Sequence, residues 1–252
     1  MKNGLNKFIA ANKRVSIGLE RYLPQVRPNP FELYAERVSA LLEAESPTVI
    51  ADIGGGRSCT FAHLRPAGSR SRIVAVDVSA EELALNDEVD EKRVADVVEG
   101  LPFEDGELDA VVSSSLLEHL SDVEAFVSHS ARVLKPGGRW IHVLPSKFAP
   151  FSLANQIIPR RFRRRVLFAL LPETRGKCGF EAYYDRCYYS ALIPLLERHG
   201  FEIEDVYVGY FQSWYLSFFL PAFLVSAGYE LALYMLGAKN LAAYLVVSAS
   251  KR

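Results

Sequence analysis

The sequence predicts an α/β fold in which a parallel sheet carries helices on both faces. A short apolar run, Val49–Ile53, is stopped by three consecutive glycines at 54–56, and a second apolar run, Ile73–Val78, carries Asp77 near its end. Further apolar runs alternate with segments of helical periodicity. Strand, tight glycine turn, helix and a second strand with a terminal acid are typical of the opening unit of a nucleotide-type binding site.

Two helical segments precede the first strand. The basic segment to about Arg27 has the pattern of an amphipathic helix, which Pro28 and Pro30 end. We favour a cap on the core for this segment, with a membrane contact as the alternative. The following segment, Phe31–Ala44, has apolar residues at a helical period. Together these segments form a predicted N-terminal helical cap over residues 1–47.

After Asp77 the alternation of strands and helices continues to Leu144, and is then interrupted by an irregular region, Pro145–Cys187, and a long apolar segment, Phe211–Leu236. In chain order we predict a polar helix at Ala80–Asn86, a strand around Arg93–Ala95, a loop at Gly100–Gly106, a strand at Leu108–Ser113, entry into a helix at Ser114–Leu120, a helix around Val123–Leu134, a strand at Arg139–Leu144, a helix at Ser190–His199, and strands at Phe201–Tyr210 and Leu241–Ser250.

Composition limits the function classes. With 252 residues, of which 50% are hydrophobic, the chain can build one large core. The net charge of −1 argues against a nucleic-acid partner. The cysteines Cys59, Cys178 and Cys187 lack metal-ligand spacing, so we predict no metal site; a bridge between the last two is possible in principle, but a reduced chain is favoured. The first residues lack the apolar core of a signal peptide, and a cytoplasmic location is expected.

Four sequence blocks resemble the class I S-adenosylmethionine-dependent methyltransferases, and within them the type 11 group. They are ADIGGGRS (51–58), VAVDVS (74–79), RVADVVEGLPFEDGELDAVVSSSLLEHL (93–120) and ARVLKPGGRWIHVLPS (131–146), in the family's order and at its distances. A glycine turn alone would also fit a dehydrogenase, but the later blocks favour a methyltransferase. The resemblance implies a Rossmann-like sheet of seven strands whose last strand is antiparallel. It also implies a single domain, 1–252, with its cofactor-binding half at 48–146.

The resemblance, together with residue chemistry, places S-adenosyl-L-methionine along the ends of the strands. Asp52 and the glycine turn would hold the methionine end, whose ammonium needs oxygen atoms nearby. Asp77 would bind the ribose hydroxyls and Asp96 the adenine amino group. The turn departs from the family's usual G-x-G-x-G at Ser58, whose role stays open. The predicted cofactor-binding residues are Asp52, Gly54, Gly55, Gly56, Asp77, Val78, Asp96, Val97, Ser113 and Ser114.

Methyl transfer from a sulfonium is an in-line displacement, in which alignment and exclusion of water are the main tasks. An oxygen acceptor usually also needs a base. His119, in a Glu118-His119 pair after the fourth strand, is the predicted catalytic residue, with packing in a helix as its alternative role. His142 lies inside a strand and fits a satisfied, buried histidine. A tyrosine cluster at 183–189 fits core or lid packing.

Two inserts, 147–190 and 211–237, are predicted to form the acceptor side. In the first, segment 157–171 places a basic cluster before an apolar run, which fits anionic headgroups, a phosphate-bearing acceptor or a solvated face. The second is apolar, and Glu230 is the only charge between Phe211 and Leu236. Since both of its ends return to one sheet, a helical hairpin in one leaflet, a roof over the acceptor or a homodimer interface fits better than a membrane span.

We therefore predict a methyltransferase that acts on a small-molecule or lipid-like acceptor, including a glycan-lipid. Contact through 157–171 and 211–236 would make it peripheral at the inner face of the membrane. The alternative is a catalytically silent, cofactor-binding scaffold protein that docks on the membrane through its apolar insert.

Overall fold

The computed structural model describes residues 2–44, 46–157 and 181–252, and within these ranges seven strands form one sheet. Their spatial order is β3-β2-β1-β4-β5-β7-β6. Strand β7 pairs antiparallel with both of its neighbours, whereas the pairs among β1 to β5 are parallel. The strands are β1 (Val49–Ile53), β2 (Arg72–Asp77), β3 (Glu91–Val94), β4 (Leu108–Ser114), β5 (Leu134–Pro145), β6 (Phe201–Gly209) and β7 (Tyr244–Lys251). The predicted fold is confirmed.

Helices cover both faces of this sheet. They are α1 (Lys2–Glu20), α2 (Pro30–Leu42), α3 (Ala80–Ala84), α4 (Val123–Val133), α5 (Pro150–Ile157), α6 (Tyr189–Arg198) and α7 (Leu220–Leu236). On one face, Val38 and Leu42 of α2 are buried in the same cluster as Ile50 of β1. On the other, Phe126 of α4 packs in a cluster with Trp140 of β5. Because both faces are covered, the central strands are near-continuous apolar runs.

The helix predicted directly after the glycine turn is wrong. The structure has only a single 3-10 turn there, Ala62–Leu64, between β1 and β2. Only residues 57–65 separate the last glycine of the turn from Pro66, and this stretch contains Ser58, Thr60 and Phe61, which have weak helix propensity. Since a proline also restricts the residue before it, too few residues are left for a stable α-helix.

The last strand of the parallel set starts earlier than predicted. The helix α4 ends at Val133, but β5 begins at once with Leu134 and includes the Pro-Gly-Gly sequence. Gly137 has a positive φ of 77°, and a Cβ on Gly138 would lie 2.8 Å from the carbonyl oxygen of Lys135. The two glycines therefore let the chain turn sharply and join the sheet with a shift in register next to Leu108.

The apolar insert forms a 3-10 turn, Ser213–Leu216, followed by one helix, α7, instead of a helical hairpin. None of the helices in the described ranges is long and apolar enough to cross a membrane. The basic cluster at 160–165, most of segment 157–171 and Cys178 lie outside the described residues. Cys59 and Cys187 are buried, free thiols.

Candidate active site

The predicted cofactor residues converge at one edge of the sheet. Strands β1, β2, β3 and β4 are neighbours and run parallel, so their carboxyl ends lie side by side. The glycine turn follows β1, Asp77 is the last residue of β2, Asp96 lies two residues beyond β3, and Ser114 ends β4. Ligands of open α/β sheets bind outside the carboxyl ends of the strands.

Asp77 connects the glycine turn to β2. Its Oδ2 accepts a hydrogen bond from the backbone N–H of Gly56 at 3.1 Å, and its Oδ1 accepts one from the N–H of Ser79 at 2.9 Å. The N–H of Gly54 donates to the carbonyl oxygen of Val76 at 2.8 Å. Each carboxylate oxygen has further lone pairs, so Asp77 can still accept hydrogen bonds from a ligand's hydroxyl groups.

The glycine turn requires glycine for different reasons at two positions. Gly54 has a φ of 74°, and a Cβ there would lie 3.0 Å from Cδ1 of Leu116. Gly55 has an ordinary φ, but its Cβ would lie 3.0 Å from Cβ of Ala75 and 3.1 Å from the carbonyl oxygen of Asp52. The first glycine thus serves backbone conformation and the second serves close packing on β2.

Ser58, where the family often has glycine, needs no glycine in this structure. Positive φ angles among the described non-glycine residues occur at Ser115, Tyr184 and Arg186, and Ser58 is not one of them. Its side chain is exposed. A serine is therefore compatible with this turn.

Asp52 lies beneath the turn and is 5% exposed. The pKa of its carboxyl is raised to about 7, chiefly by burial; a hydrogen bond with the Cys59 thiol lowers it, and the negative charge of Asp77 adds a smaller upward effect. A cationic group bound nearby would favour the ionised form. The position therefore suits the ammonium of an amino-acid ligand.

The other predicted cofactor residues occupy different environments. Val78 and Asp96 are exposed, and Asp96 Oδ1 accepts a hydrogen bond from the N–H of Val98 at 3.0 Å. Val97 is 6% exposed. Ser113 is fully buried, with its hydroxyl 2.6 Å from Nδ1 of His142, so its side chain belongs to the core. Ser114, at the end of β4, is partly exposed at the open edge.

His142 is buried, as predicted, but only one of its ring nitrogens has a hydrogen-bond partner among the described residues. Its ring centre lies 3.7 Å from that of Trp140 and 5.7 Å from that of Phe126. Burial holds its pKa well below the usual value, so the ring is neutral. One nitrogen contacts Ser113, and Nε2 has no hydrogen-bond partner in the described part of the chain.

Glu118 and His119 lie in a 3-10 turn, Leu117–His119, just beyond β4. Nδ1 of His119 lies 2.7 Å from the carbonyl oxygen of Glu181, and because a carbonyl only accepts, Nδ1 carries the proton. Nε2 of the same ring is 3.9 Å from Oε1 of Glu118. The predicted catalytic histidine is thus held in a defined tautomer next to a carboxyl group.

The carboxyl of Glu118 is the group that sequence reasoning missed. The residue is 5% exposed, and Oε2 has no hydrogen-bond partner among the described residues. Burial raises its pKa to about 8. Its backbone carbonyl accepts hydrogen bonds from the N–H groups of Tyr183 and Tyr184 at 2.8 and 3.1 Å, which fixes the turn. An acid in the apolar LLEHL sequence was the available signal.

An aromatic cluster stands beside Glu118. The hydroxyls of Tyr215 and Tyr244 are 3.1 Å apart, and the ring of Phe151 stacks on that of Tyr244 with centres 5.5 Å apart. Electrostatic interaction with Glu118 contributes to the raised pKa values of Tyr184 and Tyr244, after the larger effect of burial. These side chains come from four separate segments, which no sequence pattern links.

The tyrosine cluster predicted at 183–189 divides in the structure. Tyr184 is 3% exposed, and Tyr188 packs on Phe148 with ring centres 5.0 Å apart. The hydroxyl of Tyr189 accepts a hydrogen bond from Nζ of Lys239 at 3.1 Å. Tyr183 is 48% exposed. These positions fit the packing roles that the sequence suggested.

Comparison with known proteins shows which family this chain is similar to. A family described as a methyltransferase domain, type 11, matches residues 51–142. A probable S-adenosylmethionine-dependent methyltransferase of Mycolicibacterium smegmatis is 33% identical over 105 residues, which are 42% of this chain and 33% of that protein. The ubiquinone biosynthesis O-methyltransferase of Xanthomonas axonopodis pv. citri is 29% identical over 195 residues, 74% of either chain.

A solved structure supports the fold. Geranyl diphosphate C-methyltransferase from Streptomyces coelicolor, crystallised with Mg²⁺, geranyl diphosphate and S-adenosyl-L-homocysteine, aligns with a TM-score of 0.55 at 16% identity. The alignment covers 88% of this chain and 78% of that one. Fold, family match and relatives point the same way: residues 51–142 match the methyltransferase domain, type 11, and the chain has the fold of the class I S-adenosylmethionine-dependent methyltransferases.

Proposed function

We propose that this protein transfers a methyl group from S-adenosyl-L-methionine to a hydroxyl oxygen of an apolar, lipid-like small molecule. The observation that carries the proposal is the contact between donor side and acceptor side. Leu116 lies against Gly54 of the glycine turn, and the buried carboxyl of Glu118 follows two residues later. A bound donor and an acceptor held at Glu118 would therefore be neighbours.

The carboxyl edge of the sheet fits the methyl donor. Asp52 and the backbone of Gly54 and Gly55 would hold the amino-acid end, where a buried acid of raised pKa becomes favourable once an ammonium approaches. Asp77 and Val78 would hold the ribose. The adenine would meet Asp96 and Val97, and Gly56 and Ser114 would line the cleft. A Cβ on Gly56 would lie 3.7 Å from Oδ2 of Asp77, so a larger side chain there would stand next to this carboxylate.

The bound donor supplies a methyl group on a positively charged sulfur, so the chain's own task is to align the acceptor and take its proton. We assign the proton to Glu118, because a buried carboxyl with a free oxygen and a pKa of about 8 is basic enough to accept one near neutral pH. His119 would hold the acceptor oxygen through its Nε2 side or receive the proton in turn.

The acceptor side is apolar. A groove of about 640 Å³ lies between the start of α5 and α7. Pro150 of this groove precedes Phe151, and Leu216 follows Tyr215, so two of the lining residues are chain neighbours of the aromatic cluster beside Glu118. It is lined by Pro150, Leu216, Phe219, Pro221, Ala222, Val225, Ser226 and Tyr229. A hydrocarbon chain fits such a lining, which favours a lipid-like acceptor met at a membrane surface, as segment 211–236 suggests. The Xanthomonas relative is named for ubiquinone biosynthesis, which agrees with this acceptor class.

Methyl transfer is tested with a donor labelled in its methyl group. The full chain is incubated with labelled S-adenosyl-L-methionine and a total lipid extract, and label is counted in the organic phase. We expect an organic-soluble labelled product that is missing with Asp77→Ala, and transfer reduced by added S-adenosyl-L-homocysteine. Donor binding without label in any lipid or polar extract would instead support the silent scaffold.

A further inference from the structure

The outer face of α7 is apolar throughout. Leu224, Val225, Met235 and Leu236 are 51, 76, 77 and 79% exposed. The single charged residue of the helix, Glu230, is fully buried. Its carboxylate accepts hydrogen bonds from the Ser213 and Ser226 hydroxyls at 3.1 and 2.8 Å. A helix that faces water normally carries charged residues on its outer side, so this face is suited to an apolar environment.

The N-terminal helix α1 adds a second exposed apolar stripe. Phe8, Val15 and Tyr22 are 53, 48 and 69% exposed. They repeat every seven residues, a spacing that returns to the same side of a helix within about 20°. The helix ends at Glu20, and Tyr22 lies two residues beyond it, in the turn that follows. The stripe is therefore a continuous line of large apolar side chains facing outward.

A basic stripe runs alongside it. Lys7, Arg14 and Arg21 are exposed and each precedes one of the apolar residues. Residues 1–27 hold six basic residues and one acidic residue, a net charge of +5, whereas the whole chain carries −1 and the remainder therefore −6. Positive charge is therefore concentrated on this element, in addition to the basic cluster in the sequence at 160–165.

Hydrogen bonds join α1 to the start of α7 and to the turn before it. Oδ1 of Asn12 accepts from the N–H of Leu220 at 2.8 Å, and the Ser16 hydroxyl donates to the carbonyl of Ser217 at 3.2 Å. Asn12 lies four residues after Phe8, so the side of α1 that contacts α7 is next to the apolar stripe. On α1, the apolar stripe therefore lies between the side that contacts the start of α7 and the basic stripe.

We infer that α1 and α7 together dock this protein on an anionic lipid bilayer. The apolar side chains would enter the interface, and the basic stripe would meet anionic headgroups, the arrangement of interfacial helices. The sequence favoured α1 as a cap on the core; in the structure its inner side, with Asn12 and Ser16, contacts the start of α7 and the turn before it. The inference adds a partner to the proposed function, but it is tested by binding alone, whether or not methyl transfer occurs.

Vesicle flotation tests this surface with the full chain. Vesicles of phosphatidylcholine and phosphatidylglycerol are compared with pure phosphatidylcholine, at low and at physiological salt. We expect flotation with the anionic vesicles, weaker flotation at higher salt, and little with neutral ones. The triple variant Lys7→Glu, Arg14→Glu, Arg21→Glu should lower the partition coefficient by more than about fivefold per residue, since charge is reversed and not only removed.

The matched controls separate this surface from charge and folding effects. A control triple variant changes the net charge by the same amount at exposed positions elsewhere and should float like the wild type. It carries Arg70→Glu, Arg198→Glu and Arg252→Glu. A double variant of α7, Val225→Asp with Met235→Asp, changes two side chains that are already about three-quarters exposed. It should abolish flotation without lowering the melting temperature.

Two results would overturn the inference. One is that the wild type does not float with anionic vesicles, or that it floats and neither the triple variant of α1 nor the double variant of α7 changes this. The other is a homodimer in sedimentation analysis that Val225→Asp dissociates, in a protein that does not float; the apolar face would then be a dimer interface. S-adenosyl-L-homocysteine binding by all variants is expected to be unchanged, so a failure of donor binding would count against the proposed function instead.

Discussion

Oδ2 of Asp77 accepts a hydrogen bond from the backbone N–H of Gly56 across 3.1 Å, so the acid that ends β2 holds the turn that follows β1. The same carboxylate accepts from the N–H of Ser79 at the start of α3. One side chain thus fixes the backbone on both sides of the cleft and presents its remaining lone pairs to the ligand. Loss of this carboxylate should affect both the shape of the turn and the affinity of the donor.

Asp77→Asn should weaken S-adenosyl-L-homocysteine binding by about ten- to a hundredfold, because hydrogen bonds to a charged acceptor contribute about 1.5–3 kcal/mol. The rise in melting temperature on adding the ligand measures this. Asp87→Asn is the control, since that side chain is 96% exposed in the same part of the chain. Equal stabilisation of both variants by the ligand would contradict the role of Asp77.

Gly55→Ala should reduce the free energy of unfolding by about 1–3 kcal/mol, the usual cost of overpacking. The added Cβ would lie 3.0 Å from Cβ of Ala75 and 3.1 Å from two oxygens of Asp52. Urea denaturation measures the change, with Gly100→Ala as the control because no atom lies within 4 Å of its Cβ position. A Gly55→Ala protein as stable as this control would show that the turn relaxes freely.

Asp52 should make the ligand-free protein less stable as pH rises towards 7. Its pKa is raised by burial from 3.8 to about 7 in the folded chain. Between these values the folded state holds the proton and the unfolded state has released it, so the free energy of unfolding falls with rising pH and levels off above 7. Asp52→Asn should flatten this decline in denaturation curves measured from about pH 4 to pH 8.

Donor binding should also release a proton at Asp52. An ammonium beside the carboxyl favours its ionised form, so binding near pH 6 should release protons from the wild type and fewer from Asp52→Asn. Calorimetric titrations in buffers of different ionisation enthalpy measure the release. Identical release in both proteins would show that the ligand's ammonium lies elsewhere.

Glu118→Gln should slow methyl transfer by about 10²–10⁴-fold, the usual contribution of a general base, and leave donor affinity unchanged. The wild-type rate should rise with pH up to about 8, as the carboxyl of Glu118 ionises, and the variant should lose this rise. His119→Gln, assayed in parallel, shows which of the two neighbouring side chains causes this pH dependence. If Glu118→Gln transferred methyl groups at the wild-type rate and with the same pH profile, Glu118 would not be the base.

The sequence was informative where structure depends on local pattern. The bounds of β1 were predicted to the residue, and the seven-stranded sheet followed from its resemblance to known methyltransferases. The helix after the glycine turn failed because Pro66 left too little chain for it. The neighbourhood of Glu118 could not be predicted, since Phe151, Tyr215 and Tyr244 meet only through the packing of distant segments.

The stripes of α1 show a different limit. Its heptad spacing is visible in the sequence, but which side of the helix packs on α7 is decided by the contacts of Asn12 and Ser16. From the sequence alone, the large apolar side chains of Phe8, Val15 and Tyr22 would be assigned to the core. The structure places them at the surface.

Calorimetric titration of the full chain with S-adenosyl-L-methionine and S-adenosyl-L-homocysteine tests the central claim most directly. We predict saturable binding of either ligand at one site per chain, in the micromolar range. The absence of saturable heat with both ligands, in a protein shown to be folded by a cooperative thermal transition, would contradict the claim that the carboxyl edge of this sheet is a methyl-donor site.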